Sequence, residues 1–180
     1  MFFNVRELEL RKVHFDVTFP PGEIEFFDPG LRQVAPLEAE GSAELLPNTL
    51  GEIRVKGRLS VTMEADCDRC LESAHYPIDS EFDLFYRPAP PAHTRHPAEE
   101  VEIDEGEVEL AFYEGGGLEL KDILREHILL SMPMQRICDE KCRGICPQCG
   151  QNRNLAPCGC QTKSGDDRWE ALKNLTTKGI

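Results

Sequence analysis

Eight cysteines constrain this chain more than any other feature of it. Cys138, Cys142, Cys146, Cys149, Cys158 and Cys160 crowd into 23 residues, and Cys67 and Cys70 stand apart from them. The stretch from Cys138 to Cys160 holds little that could fill a core. A segment this poor in apolar residues needs a metal to fold, and metal-binding energy then becomes folding energy. Cys146-Pro147-Gln148-Cys149-Gly150 is the strongest local signal. Two residues between thiolates let the backbone wrap one metal and aim amide N–H groups at the sulfurs, and Gly150 tolerates the positive φ such a turn uses. A tetrahedral zinc site takes four such ligands.

Two sets of four are the expected partition. Cys146, Cys149, Cys158 and Cys160 make one local site. Cys67 and Cys70 reach across from the β region to join Cys138 and Cys142 in a second, which would staple the C-terminal module to a sheet. The other partition stays open: Cys138, Cys142, Cys146 and Cys149 as a self-contained set, with Cys67 and Cys70 facing Cys158 and Cys160. Either way, eight thiolates and two dications take the formal charge from −13 to −17.

Other cysteine chemistries fit less well. Cys142, Cys146 and Cys149 have the spacing of the radical-SAM iron–sulfur motif, but Gln148 replaces the usual aromatic and no long βα series exists to build a barrel. Cys67, Cys70 and His75 begin a zinc-knuckle spacing whose fourth ligand would fall at Ser80. A thioredoxin-like dithiol at Cys67 and Cys70 would want a βαβ setting, and the neighbourhood reads as strand and turn. Cysteines as small buried residues are the plain alternative, stronger for the first pair than for the other six.

The rest of the chain reads as strands followed by a helix. Val13, Phe15, Val17 and Phe19 alternate with polar residues until Pro20-Pro21-Gly22, the period of a half-buried strand. Ile53, Val55, Leu59, Val61 and Met63 form a longer run, with Gly57 a bulge or a close approach, and Phe82, Leu84 and Tyr86 another. Residues 1–86 with no helix between strands suggest an antiparallel meander or small open barrel. Arg87 to Ala98 carries four prolines and reads as a connection. Glu99 to Glu126 holds eleven carboxylates, and Val108, Leu110 and Phe112 within it read as a strand with a charged outer face. Leu120, Ile123, Leu124, His127 and Ile128 then make one stripe of a helix over about 120–131 that Pro133 ends. Ser164-Gly165-Asp166-Asp167 looks like a second helix start, with Trp169, Leu172 and Leu175 behind it. The expected fold is α+β: mainly antiparallel sheet or a small open barrel with a helix over residues 1–132, then a Cys-rich zinc module and C-terminal helix over 133–180.

No apolar stretch approaches the roughly 18 residues of a membrane helix. The N-terminus carries charge from Arg6 onward and lacks a cleavage site, so it is not a secretory signal. The cytosol is the expected compartment, where thiols stay reduced. Twenty Lys plus Arg against 33 Asp plus Glu argue against a broad basic face for nucleic acid.

Two signatures carry a family resemblance. Gly57-Arg58-Leu59 leading into Cys67-Asp68-Arg69-Cys70-Leu71-Glu72 resembles the first signature of the YceD family. The second runs from Leu118 through Arg125-Glu126-His127-Ile128-Leu129-Leu130-Ser131-Met132-Pro133-Met134 to Cys138, Cys142-Arg143-Gly144-Ile145-Cys146-Pro147-Gln148-Cys149-Gly150, Asn152 and Asn154. Asp167-Arg168-Trp169-Glu170-Ala171-Leu172 closes it. The resemblance spans about residues 50–175. It implies a bacterial-type cytosolic protein needed for accumulation or processing of large-subunit rRNA, with no catalytic residues to carry over, and it points to the same cysteines as metal ligands.

The expected function is therefore a non-enzymatic ribosome biogenesis factor holding Zn2+, two ions, on Cys67, Cys70, Cys138, Cys142, Cys146, Cys149, Cys158 and Cys160. Its expected partners are a large-subunit rRNA precursor, a basic ribosomal protein, or both. Arg136, Lys141, Arg143, Arg153 and Lys163 form a small basic patch that could touch phosphates. The acidic stretch suits a basic protein, though a solvated strand face explains it as well. An RNA-processing enzyme finds little support: no HExxH, P-loop, GxGxxG or GxSxG occurs. His14, His93 and His96 read as surface, and His127 as a satisfied core histidine. A thiol redox sensor, releasing zinc on oxidation, is the further alternative.

Overall fold

A computed structural model describes residues 1–89 and 110–160. Its frame is the hairpin of β5 (Ile53–Asp66) and β6 (Ser73–Pro88), paired antiparallel without interruption from Ile53↔Tyr86 to Asp66↔Ser73. Along β5 the residues Ile53, Val55, Leu59, Val61, Met63 and Ala65 are all buried, while Arg54, Lys56 and Arg58 alternate with them on the other face. That alternation is the period of a sheet with one covered face.

β4 (Leu37–Leu45) pairs with β5 over residues 53–60, and β3 (Leu31–Gln33) takes the rest of that edge at Met63–Ala65. β2 (Val13–Phe19) lies outside β4. Gly41 and Gly57 face each other across β4 and β5 in an unbroken register, so Gly57 is a close approach and not a bulge. A Cβ on Gly57 would sit 2.4 Å from the Glu40 carbonyl oxygen and 2.9 Å from Phe82 Cζ; one on Gly41 would meet Phe15 Cζ at 2.7 Å. Two phenylalanines from β2 and β6 thus cover the glycine pair, a device that lets a sheet bend without leaving a void.

The sheet stays open. Its order among the described residues is β2-β4-β5-β6-β7, and there the outer strands β2 and β7 (Leu110–Tyr113) do not pair with each other. Of the two expected forms, a mainly antiparallel sheet or a small open barrel, the described residues form the first, and β7 makes it a mixed sheet by running parallel to β6. Phase is corrected: in β7 Phe112 is exposed and Tyr113 buried. The β6 register sets this, pairing Pro88 with Tyr113, and the Tyr113 hydroxyl donates to Gly51 O at 2.8 Å.

A one-turn helix α1 (Val5–Leu8) breaks the expected run of strands near the N-terminus. Before it, β1 (Phe2–Asn4) pairs with β8 (Gly117–Glu119), and the Leu120 amide donates to Met1 O. This ribbon launches α2 (Leu120–Ser131), which occupies the predicted span and buries Leu120, Ile123, Leu124 and Ile128. His127 is half-buried in the same stripe. Its Nε2 lies 2.9 Å from Ser80 Oγ and its ring 5.3 Å from Phe82, so it is a hydrogen-bonded packing residue. No helix among the described residues is long and apolar enough to cross a membrane. Residues 90–98 of the proline-rich stretch with His93 and His96, residues 99–109 of the acidic stretch, Lys163 and the expected helix after Ser164 lie outside the described residues.

Candidate metal centres

The β5–β6 hairpin turns at Cys67-Asp68-Arg69-Cys70-Leu71, so its tip is itself a two-cysteine knuckle. The Leu71 amide donates to Cys67 O at 2.9 Å, and the Cys67 amide to Glu72 O at 2.9 Å. The same turn recurs in the C-terminal segment, where the Gly150 amide donates to Cys146 O at 2.8 Å. Gly150 has φ +73°, and Leu71 occupies the matching left-handed position with φ 62°. Two sequences unlike each other outside the cysteines thus adopt one backbone geometry.

The eight sulfurs gather into two groups of four: Cys67, Cys70, Cys138 and Cys142, and Cys146, Cys149, Cys158 and Cys160. Within each group all the Sγ atoms lie within 4.8 Å of one another. Cys67 and Cys142 sulfurs are 3.9 Å apart, and those of Cys70 and Cys138 3.7 Å. A tetrahedron with metal–sulfur bonds of about 2.3 Å has sulfur–sulfur edges of about 3.8 Å. A disulfide would need about 2.05 Å, so these are free thiols spaced as a tetrathiolate site spaces them. The grouping is the cross-chain partition and not the self-contained one.

The first group is the more enclosed: Cys67, Cys70 and Cys142 are buried, with Ile137 packed on them, and Cys138 alone is exposed. The second is open, with Cys149 and Cys160 exposed and Cys158 half-buried. In both, the backbone prepares one sulfur to be anionic. Burial works against ionising Cys67, but amides of Cys138, Cys70 and Arg69 aimed at its sulfur outweigh this and hold its thiol down to about 6. The amides of Cys149 and Gln148 do the same for Cys146, also to about 6. Hydrogen bonding to Cys70 and Cys142 pushes Cys138 up to about 12, and Cys149 and Cys146 do so for Cys160. Each cluster therefore sets a ready anion, Cys67 or Cys146, beside a thiol that holds its proton, Cys138 or Cys160. A dication taking the place of those protons would complete the set.

The surroundings fix the clusters in place. The Arg136 amide donates to Asp68 Oδ2 at 2.7 Å and the Asp68 amide to Arg136 O at 2.7 Å, while the Arg136 guanidinium reaches Asp28 at 2.7 Å. Arg69 donates to the carbonyls of Glu140 and Cys142. Asn154 Nδ2 donates to Cys142 Sγ at 3.2 Å, which lowers that thiol's pKa. Sequence reasoning assigned none of these partners. Asp68, Arg69 and Asn154 stand among the cysteines in sequence, whereas Asp28 carries no local signal at all.

A mixed, open β-sheet whose longest hairpin ends in one half of a four-cysteine cluster, and whose C-terminal segment supplies the other half and a second cluster, defines the class. The chain belongs to the YceD family: the family described as "Large ribosomal RNA subunit accumulation protein YceD" matches residues 55–176. The uncharacterized protein YlbN of Bacillus subtilis (strain 168) is 23% identical, covering 96% of this chain and 93% of its own length. The chloroplastic large ribosomal RNA subunit accumulation protein YCED homolog 1 of Arabidopsis thaliana is 26% identical over 69% of this chain. The matched region makes up 44% of that longer relative. No solved structure matches the chain.

Proposed function

We propose that the protein is a non-enzymatic assembly factor that supports accumulation of large-subunit rRNA, with one structural zinc ion on each cysteine cluster. Membership of the family carries the ribosomal part of this reading. Four thiolates fill a tetrahedral zinc, whereas catalytic zinc keeps a position for water or substrate. That donor set supports a structural role and a metal bound in the family's own signature residues.

Charge pairing suggests where RNA would be touched. On the β body, Arg11, Lys12, Arg32, Arg54, Arg58, Lys121 and Arg125 each pair with a carboxylate. Lys141, Arg143 and Arg153 in the cysteine-rich segment form no ion pair among the described residues. Arg143 and Arg153 line a groove beside Cys146, Cys158 and Cys160. There they would offset the charge of a tetrathiolate centre and present the remaining donors to phosphate.

The test is co-sedimentation of the zinc-loaded protein with large-subunit precursor particles, beside mature rRNA levels in cells lacking it. The protein should travel with precursors, and rRNA should recover with the wild type but not with a Cys149→Ser variant. Arg143→Glu with Arg153→Glu should weaken the association and flatten its salt dependence. Association unaffected by these charges but lost with a basic ribosomal protein would move the contact from RNA to that protein. Absence from all precursors would end the reading. The exposure of Cys149 and Cys160 favours one second reading, a thiol redox sensor. Peroxide would oxidise two thiolates to a disulfide and release the second metal, with loss of the partner at sublethal doses as its mark.

A further inference from the structure

The two cysteine clusters are joined by a short hairpin. Cys142 of the first and Cys146 of the second are separated only by Arg143, Gly144 and Ile145. Beyond the second knuckle the chain doubles back. The Cys146 amide donates to Gln151 O at 2.8 Å, the Arg153 amide to Gly144 O at 2.9 Å, and Ile145 bridges to Asn152. At the base of this hairpin the exposed Asn154 reaches back to Cys142 and Arg143. Its Nδ2 donates to Cys142 Sγ at 3.2 Å, its Oδ1 accepts from the Arg143 amide at 2.7 Å, and its own amide donates to Asn152 Oδ1 at 2.9 Å. The two side-chain partners, one donor and one sulfur, fix which way the amide group faces. The hairpin also leans on the first knuckle, the Ile145 amide donating to Arg69 O at 2.8 Å.

We propose that the two centres take up metal cooperatively and that Asn154 is the positioning residue that couples them. This rests on reading both clusters as metal centres. An N–H donor to a metal-bound thiolate stabilises the charge the sulfur keeps and orients the ligand. Asn154 can offer that donor only when the hairpin is formed. Between Cys142 and Asn154 the only buried apolar side chain is Cys146, so a metal drawing Cys146, Cys149, Cys158 and Cys160 together is what would hold it closed. Filling the second centre thereby prepares the first. Linkage makes the effect mutual: the first centre, once filled, fixes Cys142 and Arg69 against the hairpin and strengthens the second by the same factor.

The experiment uses the full chain, with Co2+ as a spectroscopic probe and Zn2+ measured by chelator competition. In native mass spectra of the wild type at half the saturating metal, apo and doubly loaded protein should dominate over the singly loaded form. Cys149→Ser should disable the second centre and weaken the first by at least roughly ten-fold, the lower range for losing an outer partner of a metal ligand. Asn154→Ala should weaken the first centre to a similar degree while the second still binds. Cys149→Ser with Asn154→Ala should be no weaker at the first centre than either alone. Asn154→Asp is the decisive variant. It keeps an acceptor for the Arg143 amide but loses the N–H aimed at sulfur, so it should fail to rescue; rescue would reduce Asn154 to a turn residue. Statistical filling with a first centre indifferent to Cys149→Ser overturns the coupling. A loss in Cys149→Ser that Asn154→Ala does not share overturns Asn154 as its route. If wild type binds fewer than two metals, the reading of two centres falls instead.

Discussion

Removing metal should unfold one part of this protein and leave the other standing. The sheet and α2 share a continuous core that includes Phe15, Leu37, Leu59, Met63, Leu124 and Ile128. The segment from Cys138 to Cys160 buries only Cys142 and Cys146 among its apolar side chains. Ordering a residue costs about 1–2 kcal/mol of backbone entropy, over a segment of 23 residues. Full burial of one aliphatic side chain returns about 1.5–3 kcal/mol, and a hydrogen bond about 1 kcal/mol net. Apolar contact therefore falls far short of holding the segment, whereas a structural zinc supplies about 10–16 kcal/mol at each site. The assay is hydrogen exchange read by mass spectrometry, with and without a strong chelator under reducing conditions. Amides of Ile145, Cys146, Gly150 and Arg153, all hydrogen-bonded in the fold, should lose protection in chelator. Those of β5 and β6 should keep it, except near Cys67 and Cys70. Full protection from 138 to 160 in the metal-free, reduced protein would refute the reasoning. So would loss of the sheet along with the segment.

Leu71 is exposed and carries φ 62°, a conformation that costs an ordinary L-residue roughly 1–2 kcal/mol. Leu71→Gly should raise stability by up to about 1 kcal/mol after the added chain entropy. It should also leave metal stoichiometry unchanged; lower stability in urea would show that Leu71 contributes packing. Gly57→Ala should destabilise the protein by about 1–3 kcal/mol, since the new methyl meets the Glu40 carbonyl, which cannot move without shifting β4; an unchanged urea midpoint would contradict that close approach. Burial in the α2 stripe holds His127 below its ordinary pKa of 6.5, so the unfolded chain takes up the proton first. The stability this residue contributes is complete above about pH 6.5 and is lost as pH falls through the lowered folded value. Between about pH 7.5 and about pH 5.5 the wild type should lose more stability than His127→Gln at fixed zinc. Equal losses would mean that His127 titrates freely in the fold.

What could be read from sequence follows how local its physical cause is. The span of α2 was legible because an apolar stripe and Pro133 both lie within the segment they shape. β5 was legible because its alternation is built from large residues. β4 alternates as strictly, but Leu37, Ala39, Gly41, Ala43 and Leu45 present three small residues, and the signal is weak although Ala39 and Ala43 are buried. β1 and β8 leave no local trace, since each exists only through a partner more than a hundred residues away. The reversed phase of β7 has the same origin: two aromatic neighbours, Phe112 and Tyr113, competed for the inward place, and the parallel register with β6 chose between them.

The cysteines were legible for a different reason: a knuckle is a local turn, and its two-residue spacing is set by the turn alone. Which knuckle meets which is a tertiary fact. The spacing left two partitions open, and the sheet decides between them by carrying Cys67 and Cys70 to the end of a hairpin fourteen residue pairs long. That placement gives the first cluster a consequence the second does not share. A metal there ties the cysteine-rich segment to a stiff arm, so the groove of Arg143 and Arg153 takes a defined position relative to the sheet. Cys67→Ser should thus leave a second centre that still takes metal, at reduced affinity, on a segment whose remaining ties include the Asp68–Arg136 pair, the Asp28 ion pair, the bonds of Arg69 and the Asn152–Glu72 hydrogen bond. Such a protein would keep the groove and lose its placement. If it co-sedimented with precursors as well as the wild type does, the groove alone would suffice for recognition, and the link between sheet and segment would serve stability only.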